Sequence, residues 1–106
     1  MWRLIGITLP QYKDWEKEKQ IIKNLLQNNE IEYFHIRKPE FTLEQMSLWL
    51  EDLPLAIRKR LSLHDCLEVA KEFQIGGVHL NKRNNYTAPF AFEGRISRSC
   101  HSIEEV

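Results

Sequence analysis

The chain has 106 residues, which is enough for one domain at most, and its 15 acidic residues balance its 15 lysines and arginines. This balance argues against a nucleic acid or an anionic membrane as partner, since such binding depends on a surplus of Lys and Arg. The cysteines Cys66 and Cys100 show no CxxC spacing, and no signal-peptide core or membrane-spanning run is visible. We therefore expect a reduced, soluble, cytoplasmic protein.

The N-terminal third predicts a strand, a helix and a second strand. Residues 2–8 form a short apolar run rich in Leu and Ile, which is typical of a buried strand. Residues 14–28 place apolar side chains near one face and Glu and Lys over much of the rest, as in a helix packed on a sheet. Residues 32–37 are again strand-like, and Pro39 closes this second strand.

The middle third predicts a helix, a turn, a third strand and a short helix. Thr42 and Gln45 form a capping box, which marks the start of a helix. Pro54 interrupts the apolar stripe that follows. The basic run 58–60 is interpreted as a solvated helix end, because cations suit a helix C-terminus. The remaining elements are a further turn over 55–60, a strand over 61–64 and a short helix over 66–73.

The last third predicts two more strands. Gly76 and Gly77 form a tight connection in which a positive φ is easily accommodated. Residues 78–80 are a fourth apolar run, whereas residues 81–93 lack helical periodicity and predict a loop. A fifth strand is expected over 95–99.

The order of these elements predicts an α/β fold made of parallel βαβ units with right-handed crossovers. Doubly wound sheets and barrels share this pattern. Ser102 and Glu105 form another capping box, so a helix should begin where the sequence stops. We therefore expect residues 1–106 to be the N-terminal part of a single (β/α)8 TIM-type barrel domain, a fold of about 250 residues, with about five of its strands present.

The candidate site residues follow the predicted strands, because parallel α/β folds gather their sites at the C-terminal ends of strands. Four of the five ends carry groups suited to phosphate binding or proton transfer. No GxGxxG, P-loop, GxSxG or HExxH motif is present. The residues at the strand ends are Thr8, His35, Arg37, Lys38, His64, Asp65, Asn81, Lys82, Ser99, Cys100 and His101.

The four histidines lie on four separate strands, and none has a Cys or His at zinc-ligand spacing. A composite zinc site is therefore only a minor alternative. His79 lies inside a predicted strand and is interpreted as a packed, hydrogen-bonded core histidine.

Three segments resemble the thiamin-phosphate synthase/TenI family. Residues 34–37, Phe-His-Ile-Arg, resemble the QLREK element of the family and, more closely, the HIRER form of TenI proteins. Residues 63–65 and 76–80 resemble the IINDR…ADGVHLGQ block. Residues 98–105, Arg-Ser-Cys-His-Ser-Ile-Glu-Glu, resemble the RSxHSxEE segment of TenI and are the most specific match. The resemblance spans the whole chain in the right order and implies a TIM-type barrel.

The resemblance implies one of two reactions in thiamin biosynthesis. Synthases of the family join a hydroxymethylpyrimidine pyrophosphate to a thiazole phosphate and release pyrophosphate, with Mg²⁺ on the pyrophosphate. TenI relatives tautomerise a thiazole phosphate carboxylate, a proton transfer that needs no metal. A non-catalytic thiazole- or phosphate-binding member is a third alternative. The expected partners are these small molecules, with a homo-oligomer left open.

The resemblance also implies roles for individual residues. Arg37 matches the arginine that holds the anionic substrate, with His35 and His64 beside it as substrate-binding residues. Ser99 matches a substrate-binding serine of the fifth strand. Asp65 matches one of two metal-binding aspartates and would hold Mg²⁺, weakly, in a synthase.

Departures from the synthase pattern favour the tautomerase. Pro39 stands where synthases carry the last lysine of QLREK, and His64 replaces their asparagine. Asn84 falls near the second metal aspartate, and a neutral amide is a poor ligand for Mg²⁺. His101 stands where TenI proteins carry their catalytic histidine, a group that exchanges protons near neutral pH. We expect a TenI-like tautomerase, with the synthase as close alternative and this stretch alone inactive.

Overall fold

A computed structural model of the chain describes residues 5–8 and 13–98, in which strands and helices alternate as predicted. The strands are β1 (Ile5–Ile7), β2 (Tyr33–Ile36), β3 (Leu61–Leu63), β4 (Gly77–Leu80) and β5 (Arg95–Arg98). The helices are α1 (Trp15–Gln27), α2 (Leu43–Glu51) and α3 (Leu55–Arg58), and 3₁₀ turns lie at Leu67–Val69 and Lys82–Asn84. The capping box predicted at Ser102 lies outside the described residues.

The strands form one parallel sheet in the order β1-β2-β3-β4-β5. A doubly wound sheet reverses its strand order at a switch point, whereas the strands of a barrel follow one another around it. The described strands therefore form a half-barrel of the TIM type, and the closed eight-stranded barrel stays a prediction.

The two faces of the sheet differ in chemistry because successive side chains of a strand point to opposite faces. The outer face carries Ile36, Leu63 and Val78, which are fully buried against the helices. Trp49 and Leu50 of α2 complete this core. The opposite face, called the inner face here, carries His35, His64, His79 and Ser97.

The helix starts agree with the sequence because capping is local. The Asp14 carboxylate accepts a hydrogen bond from the Lys17 N–H and caps α1. Thr42 and Gln45 form both hydrogen bonds of the predicted capping box, at 2.9 and 3.1 Å. Within the described residues, no helix is long and apolar enough to cross a bilayer.

The helix predicted over 66–73 is wrong in its extent, since only Leu67–Val69 forms a regular 3₁₀ turn. Cys66 and Gln74, on either side, have left-handed backbone conformations with φ of 57° and 55°. A segment confined between two such residues has little room for α-helical hydrogen bonds, and short connections of this kind use 3₁₀ geometry instead. Its apolar side chains are still buried in the core.

The connection at Gly76-Gly77 does not use the positive φ that glycine accommodates, since neither of these two residues has one. The left-handed residue of this connection is Gln74. Gly76 is needed for a different reason: a Cβ there would overlap the Lys59 carbonyl group. Gly77 is similarly crowded, by the Ser62 hydroxyl.

The basic run 58–60 lies at a helix end as predicted, since α3 ends at Arg58, but its two arginines are half-buried and not solvated. The Arg60 guanidinium donates to the carbonyl oxygens of Leu26, Ile31 and Glu32 at 2.6–2.9 Å. Arg58 donates to the Phe73 carbonyl oxygen at 2.9 Å. These arginines therefore bind carbonyl groups at the end of α1 and in connecting segments, 15 to 34 residues away in sequence.

Candidate functional site

Three histidines from neighbouring strands meet on the inner face. His35 lies in β2, His64 follows β3, and His79 lies in β4. His35 Nδ1 and His64 Nε2 are 2.8 Å apart. The rings of His64 and His79 stack with centroids 4.1 Å apart, and His35 contacts both edge-on at 5.0 and 5.5 Å.

The sequence predicts His35 and His64 as substrate-binding residues. It places His79 in the core instead. His79 is half-buried, and its Nδ1 lies 2.7 Å from the Ser97 hydroxyl of β5. The signal that could have found it is strand register. His79 pairs with Ser97, and His35 with Ser62, on the face that the helices leave uncovered.

All three imidazoles have a lowered pKa and are neutral at pH 7. Burial, followed by the neighbouring His79 and His35, lowers the pKa of His64 to about 3. Burial and the nearby His79 lower the pKa of His35, while burial and Arg83 lower that of His79. A neutral imidazole offers one hydrogen-bond donor and one acceptor, or a lone pair for a metal ion.

Arg37 supplies a positive charge beside this cluster. Thr8 fixes its backbone by accepting from the Arg37 N–H at 2.9 Å and donating to its carbonyl oxygen at 3.3 Å. The half-buried guanidinium is close enough to contribute to the lowered pKa of His64. Such a charge at the C-terminal end of a parallel strand is suited to an anionic ligand.

Asp65, the predicted metal ligand, is engaged by other side chains and by the backbone. Its carboxylate accepts from the Arg83 guanidinium at 2.8 and 3.3 Å and from the Lys38 N–H at 2.9 Å. Asn84 accepts from the Asn81 N–H and donates to the carbonyl oxygens of His64 and His79.

This donor set fits a magnesium ion poorly. Mg²⁺ takes carboxylate and other oxygen ligands in near-octahedral geometry. Here the carboxylate of Asp65 is bound by a guanidinium, and the amide oxygen of Asn84 is used by a backbone N–H. Arg83, which the sequence left within a loop, is the additional residue at this position.

A cleft of about 680 Å³ lies beside Asp65. Its polar wall includes Asp65, Arg83 and Asn84, and its apolar wall includes Phe41 and Leu67. The loop predicted over residues 81–93, which contains the 3₁₀ turn Lys82–Asn84, forms one side of it. The cleft adjoins the histidines through the backbone of His64, to which Asn84 donates.

Other strand-end candidates have structural roles. The Lys38 side chain is fully buried and forms an ion pair with Glu18 of α1 at 2.8 Å. Asn81 caps the 3₁₀ turn Lys82–Asn84. Ser99 and His101, the predicted substrate-binding serine and catalytic histidine, lie outside the described residues.

A solved structure with 33% sequence identity matches this fold with a TM-score of 0.83 over 98% of the chain. It is a thiamine phosphate pyrophosphorylase. The protein comes from Bacteroides thetaiotaomicron, and this chain spans about half of it, 51% of its length. No protein-family model matches the chain, and no curated protein matches it either. The similarity to the pyrophosphorylase confirms the half-barrel fold and agrees with the resemblance seen in the sequence.

Proposed function

We propose that this chain is part of a thiamin-biosynthesis enzyme of the thiamin-phosphate synthase/TenI family, acting on a thiazole phosphate. Two observations support this. The motifs around Arg37, His64 and His79 occur in the family's order, and the pyrophosphorylase is 33% identical over nearly the whole chain. Arg37 and His64 directly follow β2 and β3, at the strand ends where TIM-type barrels carry their sites.

Within this family we favour the TenI-like tautomerase. The observation that carries the choice is the pairing of Asp65 with Arg83, whose guanidinium contacts both carboxylate oxygens. A synthase needs Mg²⁺ on the pyrophosphate of its pyrimidine substrate, and a carboxylate so engaged is poorly placed to hold it. A tautomerase needs no metal for its proton transfer.

The proposed roles follow from charge and hydrogen bonding. Arg37 would hold an anionic group of the substrate, since a guanidinium forms strong, directed bonds to phosphate or carboxylate. The neutral rings of His35 and His64 would bind the substrate by hydrogen bonds without adding charge. Ser99 would bind beside them. His101 would remove and return the proton that makes the thiazole aromatic.

A synthase is the second candidate, favoured by the name of the similar structure. In that case the enzyme would bind a pyrimidine pyrophosphate as well as the thiazole phosphate, and Mg²⁺ would be its cofactor. The carboxylate of Asp65 would then have to release the Arg83 guanidinium and bind the cation instead. A family member that binds without catalysis is a third alternative.

One assay of the full-length protein tests these alternatives. The protein is incubated with thiazole phosphate carboxylate in the presence of a chelator, and the aromatic product is measured. Turnover under these conditions supports the tautomerase. Pyrophosphate release that requires pyrimidine pyrophosphate and Mg²⁺ supports the synthase. Binding without turnover in either assay supports the non-catalytic member.

A matched variant checks that the activity belongs to this site. Arg37→Gln removes the charge while keeping a polar side chain, and we expect a higher KM for the thiazole substrate. Lys59→Gln removes an exposed cation on the connection before β3 and should leave the kinetics unchanged. An equal effect of both changes would contradict the role of Arg37.

A further inference from the structure

The ring nitrogens of His35, His64 and His79 are close enough together to share one ligand. Each side chain offers one nitrogen, and these atoms all lie within 4.8 Å of one another. Two imidazole nitrogens on a tetrahedral zinc ion lie roughly 3.3 Å apart, because Zn–N bonds are about 2.0–2.1 Å long. Side-chain movements that close the longest separation by up to about 1.5 Å would bring the three nitrogens to ligand spacing.

We propose that these three histidines form a binding site for a divalent transition-metal cation, with Zn²⁺ as the ion to be tested. Imidazole is a good ligand for Zn²⁺, Co²⁺ and Ni²⁺, whereas Mg²⁺ prefers oxygen. The site thus differs in chemistry from the carboxylate of Asp65. It does not depend on the proposed function, since its binding is measured without substrate.

The hydrogen bond between His35 and His64 supports the site. At 2.8 Å, the two nitrogens hold one proton between them. A cation that binds both nitrogens takes the place of this proton, and the N···N distance needs to open by about half an ångström to reach tetrahedral spacing.

The third ligand already has a supporting contact. Binding of the cation through Nε2 would leave the Nδ1 atom of His79 in its contact with the Ser97 hydroxyl, 2.7 Å away. Histidines that bind metals usually have a hydrogen bond at the other ring nitrogen, which fixes the ring and its tautomer. The stacked rings of His64 and His79 must turn relative to each other, because a cation lies in the plane of each imidazole that binds it.

The charges near the three histidines predict which ligand would complete the coordination of the cation. Three protein ligands leave the fourth position of a tetrahedral ion open to water or substrate. Arg37 and Arg83 are both close enough to affect the pKa of His64. Their charges weaken the binding of a bare cation and favour an anion, such as a phosphate oxygen, at the open position.

The test is titration of the full-length protein with Zn²⁺ by calorimetry after treatment with a chelator, and with Co²⁺ by visible absorption. We expect binding of one ion per chain and the absorption of tetrahedral Co²⁺. His35→Gln, His64→Asn and His79→Gln should each weaken binding at least about a hundredfold, and Ser97→Ala about tenfold. Inorganic phosphate added with Zn²⁺ should strengthen binding.

Glu72→Gln is the matched control, because it removes an exposed carboxylate and keeps the histidines and their neighbouring arginines. Its affinity for Zn²⁺ should be unchanged. Asp65→Asn leaves Arg83 without its carboxylate partner, and it should weaken Zn²⁺ binding far less than the histidine variants do. Thermal unfolding of each variant without metal shows whether it is folded. If His64→Asn does not fold, the test uses His35→Gln and His79→Gln, because these two positions are only half-buried. Absence of stoichiometric binding, binding that survives loss of the histidines, or binding that follows Asp65 would overturn the proposal.

Discussion

The Lys38 ammonium lies 2.8 Å from the Glu18 carboxylate, and the structure buries both side chains between α1 and the end of β2. The ion pair joins a helix on the outer face to the residue that follows Arg37. It therefore helps to position the strand end on which the candidate site depends.

Replacing one member of this ion pair should lower the stability of the protein more than replacing both. Lys38→Met leaves the Glu18 carboxylate buried without its partner, which typically costs about 3–5 kcal/mol. The double variant Glu18→Leu/Lys38→Met removes both charges and should recover most of that loss. Urea unfolding of the full-length protein measures the three free energies. A double variant no more stable than Lys38→Met would contradict this account.

The connection into β4 predicts opposite effects of glycine at two nearby positions. Gly76→Ala should destabilise the protein by more than about 2 kcal/mol, because its Cβ overlaps the Lys59 carbonyl group and the backbone must move. Gln74→Gly should be neutral or slightly stabilising, since the left-handed conformation at φ 55° costs glycine nothing. Thermal unfolding of both variants makes the comparison. If Gly76→Ala lowered the stability only slightly, residue 76 would have more space around it than the structure shows.

These examples show which features the sequence could predict. The capping box at Thr42 and the alternation of strands and helices depend on residues within one turn or one strand, so the pattern is visible locally. The partners of Arg60 lie 28 to 34 residues away, and nothing in the basic run 58–60 indicates them.

The histidine cluster could be predicted from the sequence only in part. Its members come from three strands, and zinc-ligand spacing compares only residues close in sequence. The register of the parallel sheet places His79 beside Ser97, and His64 beside both His35 and His79. The sequence therefore predicted two members as site residues, but only the register brings in the third.

Acid should destabilise the protein partly through His64. Its pKa is about 3 in the folded chain against an ordinary value of 6.5, so the unfolded chain binds the extra proton between these values. The contribution of His64 to stability is complete above about pH 6.5 and is lost as the pH falls towards 3. The slope from one such group is at most about 1.4 kcal/mol per pH unit.

Comparison with His64→Asn isolates this contribution. The asparagine cannot titrate, so the free energy of unfolding should fall less steeply between pH 6 and pH 4 than in the wild type. Carboxylates affect both proteins alike, and the difference in slope is the informative quantity. Equal slopes would show that His64 titrates normally in the folded protein.

His101 provides the most direct test of the proposed chemistry, although it lies outside the described residues. If it transfers the proton that makes the thiazole aromatic, His101→Asn should slow turnover about 10²–10⁴-fold while binding of thiazole phosphate survives. Turnover of thiazole phosphate carboxylate by the full-length protein, with affinity measured separately by calorimetry, separates these effects.

A structural role for His101 predicts a different result. If the side chain only stabilises the helix expected to begin at Ser102, its loss should lower the thermal stability and leave the chemistry intact. Ser102→Ala is the matched control, because it removes the predicted cap, at a typical cost of about 1 kcal/mol, and keeps the imidazole. A general acid–base role requires two results. The His101→Asn variant should lose turnover but keep nearly wild-type stability. The Ser102→Ala variant should lose stability but keep nearly wild-type turnover. Wild-type turnover in His101→Asn would remove this residue from the mechanism.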